Sequence, residues 1–214
     1  MAPRKGEVRR AEILAAARAV LVDEGLGRFV LRDIAVRVGL VLGNLQYYYP
    51  TRDDLLEAVV RAEFARNQAE VAAIAAGRGT ATARLAAVAR RLIDVWARSG
   101  GRVYAAMSLL ALHQPRFRAL HREVYLAFYE SLLPVLREIR PGARRAELLA
   151  VARLVTTLVD GALVQVPGRG FAADAVAAAV RLACAGARPR SPGSVAPEEP
   201  RIAPRPRRAA RAGA

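Results

Sequence analysis

Few residues of this chain could do covalent or metal chemistry. Its 214 residues include two histidines, His113 and His121, and a single cysteine, Cys184. Pro115 lies between the histidines, so they do not share one uninterrupted helix as a metal-binding pair would. Cys184 sits in an Ala/Val-rich stretch and reads as a small core residue. One cysteine excludes an internal disulfide framework and a thiolate zinc cluster. The sequence contains no G-x-S-x-G, H-E-x-x-H, P-loop or dinucleotide fingerprint. Neither catalytic residues, metal, nor cofactor are expected.

The residues that can do recognition chemistry lie between Leu31 and Pro50. Ala35 is a small residue where a second helix could pack, and Gly39 stands four positions on, where the backbone must turn. Ile34, Val38, Leu40, Leu45 and Tyr48 are spaced to lock two short helices together. The second helix then presents Val41, Leu42, Gly43, Asn44, Gln46 and Tyr47. A helix fits the major groove of DNA, about 12 Å wide, where Asn and Gln can read base edges. Arg32 and Arg52 flank that helix in positions suited to phosphates. A plain structural helix pair would also explain Ala35 and Gly39. It would not explain three consecutive aromatics, Tyr47-Tyr48-Tyr49, at the end of a short polar helix. The net charge of +15 suits a polyanion partner. Arginine is scattered along the whole chain, however, so the placement of individual arginines carries more weight than the total.

These residues are positioned by helices. Strand signals are nearly absent and the apolar period is helical throughout. Helices are expected at about 7–24, 31–38, 41–48, 52–76, 82–98, 103–113, 116–140, 144–166 and 172–185. Thr51-Arg52-Asp53-Asp54 reads as a capping box opening the fourth. Helix 103–113 is apolar almost all round and is expected to be buried, and Pro134 is expected to kink helix 116–140. Residues 187–214 hold six of the twelve prolines and seven arginines, a composition that reads as a disordered Pro/Arg-rich tail. The expected fold is all-α, about nine helices, with a helix-turn-helix DNA-binding domain at 1–52 and a helical domain at 53–186. No apolar run approaches the ~18–20 residues of a membrane span and no secretory signal is visible, so a soluble, cytoplasmic protein is expected.

Arg32-Asp33-Ile34-Ala35, Val38-Gly39-Leu40 and Gly43 to Leu56 (GNLQYYYPTRDDLL) together resemble the tetracycline-repressor (TetR) family of bacterial regulators. The resemblance is strong over about residues 7–60 and architectural beyond. It implies a three-helix DNA-binding domain joined by a fourth helix to a ligand-binding and dimerisation domain. It places Leu42, Gly43, Asn44 and Tyr47 at or near base edges, and Arg32, Gln46, Tyr48 and Arg52 on phosphates or mixed contacts. Val41 stands where the family usually has Ser or Thr, Gln46 where tyrosine is usual, and Arg52 where lysine is usual. The pattern of aromatics with Asp160-Gly161 looks like the subgroup typified by the choline-responsive betaine-pathway repressor, which carries over no ligand.

In the helical domain, Trp96, Tyr104, Met107, Tyr125, Phe128, Tyr129 and Asp160 stand on otherwise apolar helices. They could be core packing with satisfied polar tips. They could instead line a pocket for a small-molecule effector. Asp160 would then either pair with an arginine or receive a cationic ligand beside Trp96 or Tyr104. Helices 144–166 and 172–185 are rich in small and aliphatic residues and could form an isologous four-helix interface in a homodimer. The leading expectation is a ligand-responsive, homodimeric repressor released from a palindromic DNA operator by an effector. The alternative is a constitutive DNA-binding or architectural protein without one.

Overall fold

A computed structural model describes residues 5–95 and 101–165, together with 177, 180, 181 and 184. Eight α-helices and no strands occur among them: α1 (Lys5–Asp23), α2 (Leu31–Arg37), α3 (Leu42–Tyr48), α4 (Arg52–Ala75), α5 (Ala81–Val95), α6 (Gly101–His113), α7 (Pro115–Ile139) and α8 (Arg145–Gln165). The all-α reading therefore holds. The four isolated positions beyond α8 are helical, but the ninth helix as a whole, the tail at 187–214 and Trp96 lie outside the described residues. A 3-10 turn at Leu26–Arg28, absent from the sequence reading, fills the gap between α1 and α2. Its Phe29 neighbour is fully buried.

Local chemistry sets the ends of these helices. Gly25 and Gly39 take φ of 84° and 66°, the left-handed region that glycine enters without a Cβ penalty. The second of these makes the α2–α3 turn. Thr51 caps α4 as expected: the Asp54 N–H donates to Thr51 Oγ1 at 3.1 Å, and the Thr51 N–H donates to Asp54 Oδ2 at 3.0 Å. Thr51, then Arg116, hold the Asp54 carboxyl below the usual carboxylate range. Val41 precedes α3 in extended backbone and supplies no side-chain cap.

Packing does not divide at residue 52. One core joins Ile13, Ala17 and Leu21 of α1, Ile34 and Ala35 of α2, Leu45 of α3 and Leu55 of α4 to Val103, Met107, Phe117 and Tyr125 of α6 and α7. A second core joins Val71 of α4, Leu85 and Val88 of α5, Leu132 and Leu136 of α7, and Val155 and Val159 of α8. Helix α4 runs through both, as does α7. The boundary expected at residue 52 is thus a change of element within continuous packing. Ion pairs tie the two long helices at the rim: Arg116 to Asp54 (2.7 Å) and Glu57 (2.8 Å), and Arg61 to Glu123 (2.5 Å).

One expectation is corrected. Helix α6 is not buried all round: Val103, Tyr104, Ala106 and Met107 are buried, but Leu109 and Leu112 are 53% and 70% exposed. Neighbours cover one face only, so apolar composition did not translate into burial. Tyr48, expected to help lock the two short helices, is half-buried against the core, and Tyr49 beside it is buried.

Candidate nucleic-acid interface and ligand pocket

Helices α2 and α3 form a helix-turn-helix unit whose inner side is Ile34, Ala35 and Leu45. The outer side of α3 carries the residues singled out for base contact. Val41, Gly43, Asn44, Gln46 and Tyr47 are exposed, and Leu42 is half-buried. Tyr47 is 82% exposed. Tyr47 and Tyr48 meet edge to face at 5.4 Å. The Arg10 guanidinium of α1 lies 5.7 Å and 5.8 Å from the ring centres of Tyr48 and Tyr49. This cation–π clamp fixes the end of α3 against α1, and Arg10 gave no motif by which the sequence could have flagged it. A Cβ added at Gly43 would meet nothing within 4 Å, so the glycine is not required by the protein's own packing.

The flanking arginines differ. Arg32 is exposed and makes no ion pair with a described residue. Arg52 is occupied: its Nε donates to the Phe29 carbonyl at 2.8 Å and its guanidinium donates to the Leu26 carbonyl at 3.1 Å. It also lies 3.5 Å from Asp53 and over the Phe29 ring. The phosphate role expected for Arg52 is therefore joined by a bracing one. It closes the carbonyls of the turn between α1 and α2.

The ligand candidates separate into those that meet and those that do not. Tyr104, Tyr125, Phe128 and Asp160 line one pocket with Phe64, Leu92, Thr156 and Val159. It is a narrow cavity of about 20 Å³, room for about one water molecule. Met107 is fully buried in the first core, and Tyr129 packs beside Tyr125 with its centre 5.9 Å away; neither is among the lining residues. Phe64 was missed because its helix, α4, reads as a connector. It stacks edge to face on Tyr104 (4.5 Å) and Tyr125 (5.6 Å).

Asp160 pairs with a phenol, not with an arginine. The Tyr125 hydroxyl donates to its Oδ2 at 2.9 Å, and no ion pair to Asp160 occurs among the described residues. Burial pushes the carboxyl up to about 6, the hydrogen bond from Tyr125 only partly opposing it. Burial likewise raises the Tyr104 and Tyr125 hydroxyls above the usual phenol range. The pocket is thus an aromatic box with one carboxyl at its wall. Such a box favours an organic cation over an anion.

A polar chain leads from this pocket towards α1. Asn67 of α4, buried, donates from Nδ2 to the Tyr104 hydroxyl at 2.7 Å. One turn earlier on α4, Glu63 is also buried. It accepts from Arg18 of α1 at 2.6 Å and 3.1 Å, and from Arg66. Burial alone would raise the Glu63 carboxyl, but the two arginines outweigh it and hold it below its ordinary value. Among the described residues no group of three or more His, Cys, Asp or Glu could hold a metal ion, and no helix is long and apolar enough to cross a membrane.

Comparison with known proteins agrees with this architecture. The HTH-type transcriptional regulator BetI of Burkholderia thailandensis is 27% identical over 164 residues, covering 72% of this chain and 80% of the relative. The BetI of Paraburkholderia phymatum is 29% identical over 164 residues, covering 72% and 79%. Among solved structures, a transcriptional regulator from Saccharomonospora viridis in complex with choline superimposes with a TM-score of 0.62 at 22% identity, covering 82% of this chain and 94% of that one. A TetR-family regulator from Rhodococcus sp. gives 0.69 at 21% identity, covering 83% and 99%. At such identities the structures speak for the fold alone. Residues 13–59, which hold the helix-turn-helix unit and the capped start of α4, match the family described as bacterial regulatory proteins, tetR family. That match, the regulator relatives and the shared fold together support a TetR-family DNA-binding transcriptional regulator.

Proposed function

We propose that this regulator is a homodimeric repressor, released from a pseudo-palindromic operator when a small organic cation enters the pocket between α4, α6, α7 and α8. The carrying observation is the Tyr125–Asp160 pair inside an aromatic wall, a half-buried carboxyl with no cationic partner among the described residues. The choline bound by the Saccharomonospora viridis regulator is a ligand of this chemical class, and quaternary ammonium groups are favoured by aromatic faces.

Dimerisation supplies what one seven-residue recognition helix lacks. Leu154 and Leu158 of α8 are 47% and 37% exposed, an apolar stripe suited to a second copy. Two half-sites about 34–36 Å apart, or somewhat more, would then face two copies of α3. Arg32 and Arg52 would hold phosphates, Asn44, Gln46 and Tyr47 would meet base edges, and Tyr48 would brace the helix end. The residues up to 52 act as the DNA reader and the rest as effector and dimer domain, despite the shared core.

Signal transfer follows from the polar chain. A ligand must widen a cavity that now holds about one water, so it moves the Tyr104 wall. Tyr104 holds Asn67 on α4, and α4 holds Arg18 of α1 through Glu63. Displacing α4 therefore shifts the reader domain. A ligand that prefers the released conformation by about 2.7 kcal/mol weakens operator binding about 100-fold. The narrowness of the cavity equally suits a constitutive DNA binder. Selecting bound fragments from genomic DNA, then titrating choline and other quaternary ammonium compounds against that complex, separates the two. Release with a rise in melting temperature supports the effector reading, and tight, unresponsive binding supports the constitutive one.

A further inference from the structure

We infer that the first part of the recognition face reads thymine methyl groups, with Val41 as the specificity-determining residue. The inference rests on α3 being the DNA-reading helix. Val41 is 68% exposed and gives α3 no cap hydrogen bond, so neither core packing nor helix capping accounts for its side chain. Leu42, half-buried, and Gly43, exposed, follow it. None of these three side chains has a hydrogen-bonding atom, so none can read the donor and acceptor pattern of a base edge. The one apolar group that unmodified DNA presents in its major groove is the thymine C5-methyl. The polar readers begin at Asn44 and continue with Gln46 and exposed Tyr47. The face is therefore split along its length: methyl contact first, hydrogen-bond contact after. Gly43, with open space where a Cβ would stand, lets the backbone of the apolar part come close to the bases. Exposed Arg32, at the start of the neighbouring α2, gives this face a charge suited to the phosphates on either side.

The test uses the full-length protein and a duplex recovered by selection from a random library. Each thymine of the half-site is replaced in turn by uracil, which removes the methyl and leaves every hydrogen-bonding atom. Affinity should fall about fourfold for a methyl buried against Val41, and about fifteenfold when both half-sites lose it. Uracil outside the half-sites should have no effect. Val41→Ser then removes the apolar contact while adding a preferred capping residue, so the fold is kept. Its thymine-to-uracil ratio should drop to about one, whatever its overall affinity. Sequence-specific binding by the wild type with a ratio of one at every thymine would overturn the methyl readout and leave the regulator reading intact. A Val41→Ser protein that still discriminates would overturn the assignment to Val41. Binding with no preferred sequence would overturn this inference together with the operator reading on which it rests.

Discussion

Asn67 and Tyr104 meet through a buried hydrogen bond of 2.7 Å that joins α4 to the wall of the aromatic pocket. Both groups are out of water, where a hydrogen bond is costly to lose. Asn67→Leu should cost about 1–3 kcal/mol, because it removes this buried hydrogen bond to the phenol hydroxyl. The double variant with Tyr104→Phe should recover much of that loss, since both polar groups are then gone. Thermal melts of the four proteins in this cycle give the coupling directly. On the proposed signal path, the double variant binds its duplex normally but responds weakly to ligand.

Arg32 and Arg52 flank the same helix with different duties. Arg32→Ala should weaken all duplexes alike, flatten the salt dependence of binding, and leave the melting temperature unchanged. Arg52→Ala should also weaken binding. In addition it frees the Leu26 and Phe29 carbonyls, and about 1–2 kcal/mol of stability should go with them. Melting curves set beside affinities at two salt concentrations separate the pair. Equal melting temperatures would show that the Arg52 bridges contribute nothing to folding.

Gly43→Ala offers the opposite pattern. No atom of the protein obstructs a Cβ there, and alanine is the better helix former by up to about 1 kcal/mol. The variant should melt no lower than the wild type, yet bind its selected duplex at least about tenfold less tightly. Undiminished affinity would mean that α3 does not approach the bases at this point.

Asp160 predicts a pH dependence of defined sign. Its carboxyl titrates at about 6 in the folded protein, against about 3.9 in an unfolded chain. The folded state therefore holds the proton more tightly. This contribution to stability is complete below about pH 4 and is lost as the pH rises through 6. Asp160→Asn should be more stable than the wild type at pH 7.5, by roughly 2 kcal/mol, with the advantage vanishing near pH 4. Binding of a cationic ligand runs the other way, weakening below pH 6 as the carboxyl becomes neutral. An unchanged stability difference between pH 4 and 7.5 would place the Asp160 titration elsewhere.

The helix-turn-helix unit was legible because its constraints are local. Gly39 must turn with positive φ, Ala35 must be small, and Thr51 with Asp54 closes a cap within four residues. The helix ends followed from similar punctuation at Gly25, Pro50 and Pro115. What escaped was decided by contacts between distant segments. Phe64 belongs to a helix that looks like a linker, and only folding brings it against Tyr104 and Tyr125. Met107 and Tyr129 have the same chemistry as the pocket residues but stand outside the lining. Asp160 was recognisable as an anomalous carboxyl in an apolar helix, but its partner, 35 positions away, was not. The bracing by Arg52 was hidden because backbone carbonyls leave no trace in residue type.

The most direct test of a ligand-responsive repressor is one anisotropy titration on the selected duplex at pH 7.5, run with and without saturating choline. The wild type should bind about 100-fold more weakly with choline present, while Asp160→Asn should bind equally in both conditions. The same affinity for wild type with and without choline, repeated across other quaternary ammonium compounds, would contradict the proposed response and leave a constitutive DNA-binding protein.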